Sequence, residues 1–187
     1  MTAQTTSTTR PHPLLRRWPV LAGLAFTALV AFDMAAGMDL APVLAASAVV
    51  YLGTAALRKP VAAWPIFFAT VVIITVGKFA GFDPTWVVLG AGVLLLGYGL
   101  VRGALRPASG LPLQTLGLLG FGAAAAIALY VNPVFGGYLV AVGLLGHAAW
   151  DLYHHRTNKV VVRSLAEFCL VLDTALAVTI IVVTATA

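Results

Sequence analysis

Seven apolar runs, each near the length a helix needs to cross a bilayer, succeed one another along this chain with only short polar connections. They cover about Trp18–Gly37, Leu40–Leu57, Val61–Phe79, Pro84–Val101, Leu113–Val131, Pro133–Tyr153 and Leu165–Ala187. At ~1.5 Å per residue, ~20 residues traverse the ~30 Å hydrocarbon core. Lipid offers no hydrogen bonds, so the backbone must satisfy its own and the runs fold as helices rather than open strands. Composition agrees, since 61% of the 187 residues are hydrophobic and only 9% charged, too little polar surface for a soluble domain. The expectation is an all-α, polytopic integral membrane bundle of seven transmembrane helices, multi-pass in a bacterial plasma membrane.

Charge placement orients the bundle. With the N-terminus cytoplasmic and the C-terminus outside, ten of the eleven Lys and Arg fall on the inner side: Arg10, Arg16, Arg17, Arg58, Lys59, Arg102, Arg106, Arg156, Lys159 and Arg163. Only Lys78 falls outside, as the positive-inside rule requires of this orientation. Residues 1–17 are polar and Thr-rich and read as a disordered cytoplasmic tail, leaving 18–187 as the seven-helix transmembrane domain. A signal peptide is the competing reading of the first run. Against it stand the run's length, its Asp33 and its direct continuation into the next span.

The basic residues form neither a helical stripe nor an aromatic-interleaved patch, so nucleic acid is not an expected partner; the lipid bilayer is. A single cysteine, Cys169, excludes an intramolecular disulfide and any CxxC site. Asp39, Asp83-Pro84 and Asn132-Pro133 stand where outer turns enter helices and read as N-caps. Gly97, Gly99, Gly103, Gly117, Gly120 and Gly122 read as close-packing positions of a tight bundle.

Against this apolar background the stretch Gly143–Asp173 holds three of the four histidines, three of the six acids and the cysteine. His147, Asp151, His154 and His155 are spaced i, i+4, i+7, i+8 on one side of a helix. His147 and Asp173 each lie eight or nine residues from the same end of consecutive helices, which places them level, ~12–14 Å below the boundary. Asp151 is expected nearer the surface, level with Cys169, and His154 and His155 at the boundary itself. Ionisable groups inside a membrane are costly and mark function, so His147, Asp151 and Asp173 are the candidate catalytic residues. His154 and His155 also read as interfacial anchors, and Trp150 and Tyr153 fit an aromatic belt. Ser164-Leu-Ala-Glu167 matches a capping box for the last helix, with Glu167 a candidate substrate contact as well. Trp150, and the outer pair Asp33 and Lys78, complete the candidate substrate-binding set.

Three chemistries suit these residues. His147, Asp151, His154 and His155 could hold a divalent metal that activates water on a lipid; seven-helix ceramidase-type hydrolases do this with histidines from several helices rather than one. A buried carboxyl can donate a proton to a lipid or isoprenoid substrate, as acidic residues are thought to do in small membrane terpene cyclases. Proton-coupled transport of a small solute, or a non-catalytic membrane subunit, is the alternative. Histidine-box di-iron hydroxylases are excluded by the count of four histidines.

The pattern His147-x-x-Trp150-Asp151-x-x-His154-His155, with Cys169-x-x-x-Asp173 in the next helix, resembles that of a family of small bacterial integral membrane proteins carrying HxxWDxxHH and CxxxD. The resemblance covers the last fifth of the chain. It groups these residues into one site and implies no activity.

Overall fold

A computed structural model of the chain describes residues 17–32 and 34–186. The tail expected over 1–17, apart from Arg17, and the candidate Asp33 lie outside the described residues. Among the described residues seven α-helices follow in order: α1 (Trp18–Ala31), α2 (Ala41–Leu57), α3 (Ala63–Ala80), α4 (Thr85–Val101), α5 (Leu111–Ala128), α6 (Pro133–Thr157) and α7 (Arg163–Thr186). No strand occurs among the described residues. Among the described residues five segments are long and apolar enough to cross a membrane: Gly37–Leu57, Pro60–Ala80, Leu111–Ala128, Pro133–Thr157 and Arg163–Thr186. The chain is a helical membrane protein. α1 and α4, at 14 and 17 residues, are the shorter apolar helices.

The bundle is built around α2. Its sequence, APVLAASAVVYLGTAAL, is apolar on every side, the pattern of a helix buried all round. Fourteen of its 17 residues are buried, enclosed by α3, α4, α5 and α6. Small side chains make this possible, because Ala and Gly allow backbones to approach closely in lipid. The most extensive pairing joins α6 to α7, and α1 lies on the far side of α7. A cluster of rings, Trp18, Phe26, Trp64, Phe67 and Phe168, ties α1 and α3 to α7.

Several local expectations are corrected. The first run is not one helix to Gly37: α1 ends at Ala31 and Ala36 is extended (φ −140°, ψ 150°) ahead of a 3-10 turn, Gly37–Leu40. The turn fits because Gly37 meets Gly137 of α6, where a Cβ on Gly37 would stand 3.0 Å from the Gly137 Cα and strike Ile180. Asp39 is therefore not an N-cap; it lies inside the turn and its Oδ2 accepts the Ala36 N–H at 2.8 Å. Asn132 accepts the Phe135 N–H at 2.9 Å and caps α6, whereas Asp83 accepts the Thr85 N–H at 2.8 Å from one residue before the cap position, which Pro84 holds. The capping box at α7 does not form. Ser164 is already inside the helix and its Oγ accepts from Trp64 Nε1 at 3.2 Å, while Glu167 reaches Arg17 at 3.4 Å.

The glycines divide. Gly99 packs on Leu111 and Ala56, Gly117 on Trp150 and Gly122 on Leu89, whereas added methyls at Gly97 and Gly120 would meet nothing within 4 Å. Gly103 serves a turn instead, with φ 64°. A tight backbone approach is at Gly23 of α1, where a Cβ would stand 2.9 Å from the Phe168 carbonyl oxygen and 3.2 Å from Val171 Cβ. Gly23→Ala is therefore expected to lower unfolding stability by about 1–3 kcal/mol. Gly90→Ala, whose methyl meets nothing within 4 Å, should be neutral or slightly stabilising. Denaturant unfolding of both variants in detergent checks the contrast.

Candidate functional site

On α6, residues 147, 151 and 154 advance by about 400° and then 300° of helix rotation, which keeps them on one stripe. That stripe faces inward, leaving His147 and Asp151 0% and His154 1% exposed. Asp173 on α7 faces it from across the α6–α7 seam. His147 Nδ1 lies 2.8 Å from Asp173 Oδ2 and 3.3 Å from Asp151 Oδ2. The expected level pairing of His147 with Asp173 is thus a hydrogen-bond contact, and Asp151, one turn further along α6, belongs to the same buried group.

Two further residues, absent from the sequence-based set, complete the interior. Tyr51 of α2 donates its hydroxyl to Asp151 Oδ1 at 2.6 Å, and its ring stands edge-on to both His147 and His154. Gln114 of α5 links His154 to Trp150, and its donors and acceptors can be assigned without ambiguity. Trp150 Nε1 is only a donor, so the oxygen of Gln114 accepts from it at 3.0 Å. The Trp150 carbonyl is only an acceptor, so His154 Nδ1–H donates to it at 2.8 Å. His154 Nε2 is then the acceptor for Gln114 Nε2–H at 3.0 Å, and that amide also reaches the Ser109 carbonyl at 3.3 Å. Each polar atom in this half of the interior has a partner. A glutamine inside an apolar run was the signal for this half, and a tyrosine in an alanine-rich helix was the signal for the other.

The expected four-residue metal set is not assembled. Both ring nitrogens of His154 are engaged as above, and the residue is buried within the bundle. His155 sits about 80° round the helix from His147 and is half-buried outside the cluster. The groups able to converge on one ion are His147, Asp151 and Asp173, whose ligand atoms lie within 4.8 Å of one another. Trp150 bridges to Gln114, Phe121 packs edge-on against it, and its N–H is occupied. Glu167 is the partner of Arg17. Lys78 lies at the opposite end of the bundle, lining a groove of about 470 Å3 with Asp39 and Asp83, away from the His147 group.

Two buried atoms of the group lack any hydrogen-bond partner: His147 Nε2 and Asp151 Oδ2. Asp173 holds the imidazole through Nδ1 at 2.8 Å, and Nε2 on the other side of the ring has no hydrogen-bond partner. This is the arrangement of a base oriented by an acid. Phe121 packs edge-on against the same ring at 5.1 Å, between α5 and α6.

Above the site, at the end where Arg58, Arg102, Arg106, Arg156, Lys159 and Arg163 gather, a cavity of about 410 Å3 is lined by Thr54, Ser109 and Leu111 among others. Thr54 and Leu111 stand one turn from Tyr51 and Gln114 on their own helices, so the polar interior begins beneath the cavity floor. Two lining residues, Arg58 (φ 53°) and Val160 (φ 68°), hold left-handed backbone that non-glycine residues, and β-branched ones above all, adopt at a cost.

No protein-family model, curated protein or solved structure matches this chain.

Because Gln114 serves three groups at once, Gln114→Leu strands Trp150 Nε1 and His154 Nε2 together. The variant is expected to lose about 1–2 kcal/mol of stability and to shift the tryptophan emission. Thermal unfolding followed by fluorescence checks both.

Proposed function

We propose that the protein is a small membrane-embedded enzyme that acts on a lipid or isoprenoid substrate by acid–base chemistry at His147, Asp151 and Asp173. It spans a bacterial plasma membrane seven times, N-terminus cytoplasmic and C-terminus outside; the gathering of basic residues at one end of the bundle supports this orientation. The observation that carries the enzymatic reading is that His147 Nε2 and Asp151 Oδ2, two atoms of one buried titratable cluster, both lack a hydrogen-bond partner; the other buried atoms without one, Thr85 Oγ1 and Thr184 Oγ1, are isolated hydroxyls on other helices. Buried polar atoms without partners are rare and costly, and where they persist a function explains them. In this reading His147 Nε2 accepts a proton from the substrate, and Asp173 holds the ring and stabilises the imidazolium that forms. Asp151, hydrogen-bonded by Tyr51, carries the second proton of the cycle.

A metal-assisted variant of the same reading is favoured by one observation, the convergence of three ligand atoms within 4.8 Å. Against it, the 2.8 Å His147–Asp173 separation is a hydrogen-bond length, shorter than the ~3 Å or more between adjacent ligands held at ~2.0–2.2 Å from one ion.

Purified protein in nanodiscs, incubated with a panel of phospholipids and prenyl compounds and read by mass spectrometry, tests the proposal. Turnover of one amphiphile should fall about 10²–10⁴-fold in His147→Asn and in Asp173→Asn, with unfolding still cooperative. No conversion of any panel member by the wild type, or equal conversion by the variants, contradicts it. Metal analysis of the same samples separates the two chemistries: stoichiometric metal lost in both His147→Ala and Asp151→Ala selects the metal-assisted form.

A further inference from the structure

The cavity at the basic end has a charge pattern that the His147 group does not explain. Its rim carries Arg58, Arg106 and Lys159, drawn from three separate connections of the bundle, while Ala55, Ala104 and Leu111 make its walls apolar. No acidic residue lines it. The acid at this end among the described residues, Glu167, is taken up by Arg17 at 3.4 Å. Arg58 is held across the cavity by donation from Nη2 to the Gly103 carbonyl. That bond uses one of its five N–H donors and pre-orients the guanidinium. Three uncompensated cations over a concave apolar wall make a site for an anion of high charge density attached to an apolar group. Its volume of about 410 Å3 lies within the range of small-molecule sites.

We infer that this cavity binds the phosphate group of an amphiphilic phosphoester, with Arg58, Arg106 and Lys159 as its ligands and the apolar walls receiving the first carbons of the chain. The inference goes beyond the enzymatic reading above: it adds an amphiphile-binding site at the basic end whose lining includes none of His147, Asp151 and Asp173. Phosphate oxygens accept charge-assisted hydrogen bonds from guanidinium and ammonium groups, so an alcohol with the same chain lacks the main attraction. A phosphate bound here sits at the membrane boundary, one helical turn above Tyr51 and Gln114, with its chain free to run into the bilayer.

The test is binding to full-length protein in nanodiscs of zwitterionic phosphatidylcholine, with farnesyl phosphate, farnesol and inorganic phosphate as probes. Farnesyl phosphate should bind at least about tenfold tighter than farnesol, and Arg106→Gln/Lys159→Gln should remove about that factor while leaving farnesol unaffected. Raising the salt concentration should weaken farnesyl phosphate alone. Arg58→Gln is read as a second variant, since Arg58 also ends α2; the double variant, on exposed residues, carries the test if Arg58→Gln fails to fold. Equal affinity for farnesol, or an unchanged affinity in the double variant, overturns the inference. So does equal displacement by phosphatidylglycerol, which would mark an unselective lipid contact. Inorganic phosphate binding as tightly as the prenyl ester would assign the site to free phosphate and overturn the amphiphile. Because binding is read without turnover, it should survive in His147→Asn, so failure of the acid–base reading and failure of this one are separate results.

Discussion

The contact between His147 and Asp173 constrains the rest of the structure more than any other. A carboxylate and an imidazole removed from water lose hydration worth several kcal/mol each, which only close and well-aligned partners offset. At 2.8 Å the pair meets that condition, and it can do so in only one register of α6 against α7. Asp151, one turn along α6, then needs its own partner, and Tyr51 supplies it at 2.6 Å. Tyr51 sits on the helix that the others enclose, so the polar group pins the α6–α7 pair to the centre of the bundle. The alanines and glycines of α2 are what let it be enclosed so closely.

The polar interior has two halves with different character. Around Gln114 the donors and acceptors balance atom for atom, with His154, Trp150 and Ser109 closed into one network. Such a network specifies an arrangement and leaves nothing for a ligand to claim. Around His147 the balance fails at two atoms. Structure explains the first half, whereas the second needs a proton, a substrate or an ion to complete it. The cavity at the basic end adjoins the satisfied half, so a head group held there is separated from His147 by Tyr51 and the Gln114 network.

How much of this was readable beforehand depended on what one helix can reveal about another. The inward stripe of His147, Asp151 and His154 follows from helical period, and the level of Asp173 follows from counting residues on either side of a short connection. The same arithmetic sets His155 about 80° round the helix from His147 but only about 40° from Asp151, so periodicity alone grouped it with them and the packing of α6 was needed to separate it. Tyr51 and Gln114 were not assigned to the site, because nothing in one sequence says that α2 and α5 are the neighbours of α6. The capping box at Ser164 failed for a similar reason, since Trp64, 100 residues away, engages the serine that a local motif would have used. Hydropathy also ran the first span through to Gly37, being blind to the Gly37–Gly137 approach that makes room for a turn.

A double-mutant cycle on His147 and Asp173 tests the central claim most directly. Unfolding free energies in lipid bicelles would be measured for wild type, His147→Leu, Asp173→Leu and the double variant. If the buried pair holds α6 to α7, the coupling energy should be about 1 kcal/mol or more, with the double variant far less destabilised than the sum of the singles. A coupling indistinguishable from zero would contradict the account, because the two groups would then not be partners in the folded membrane protein.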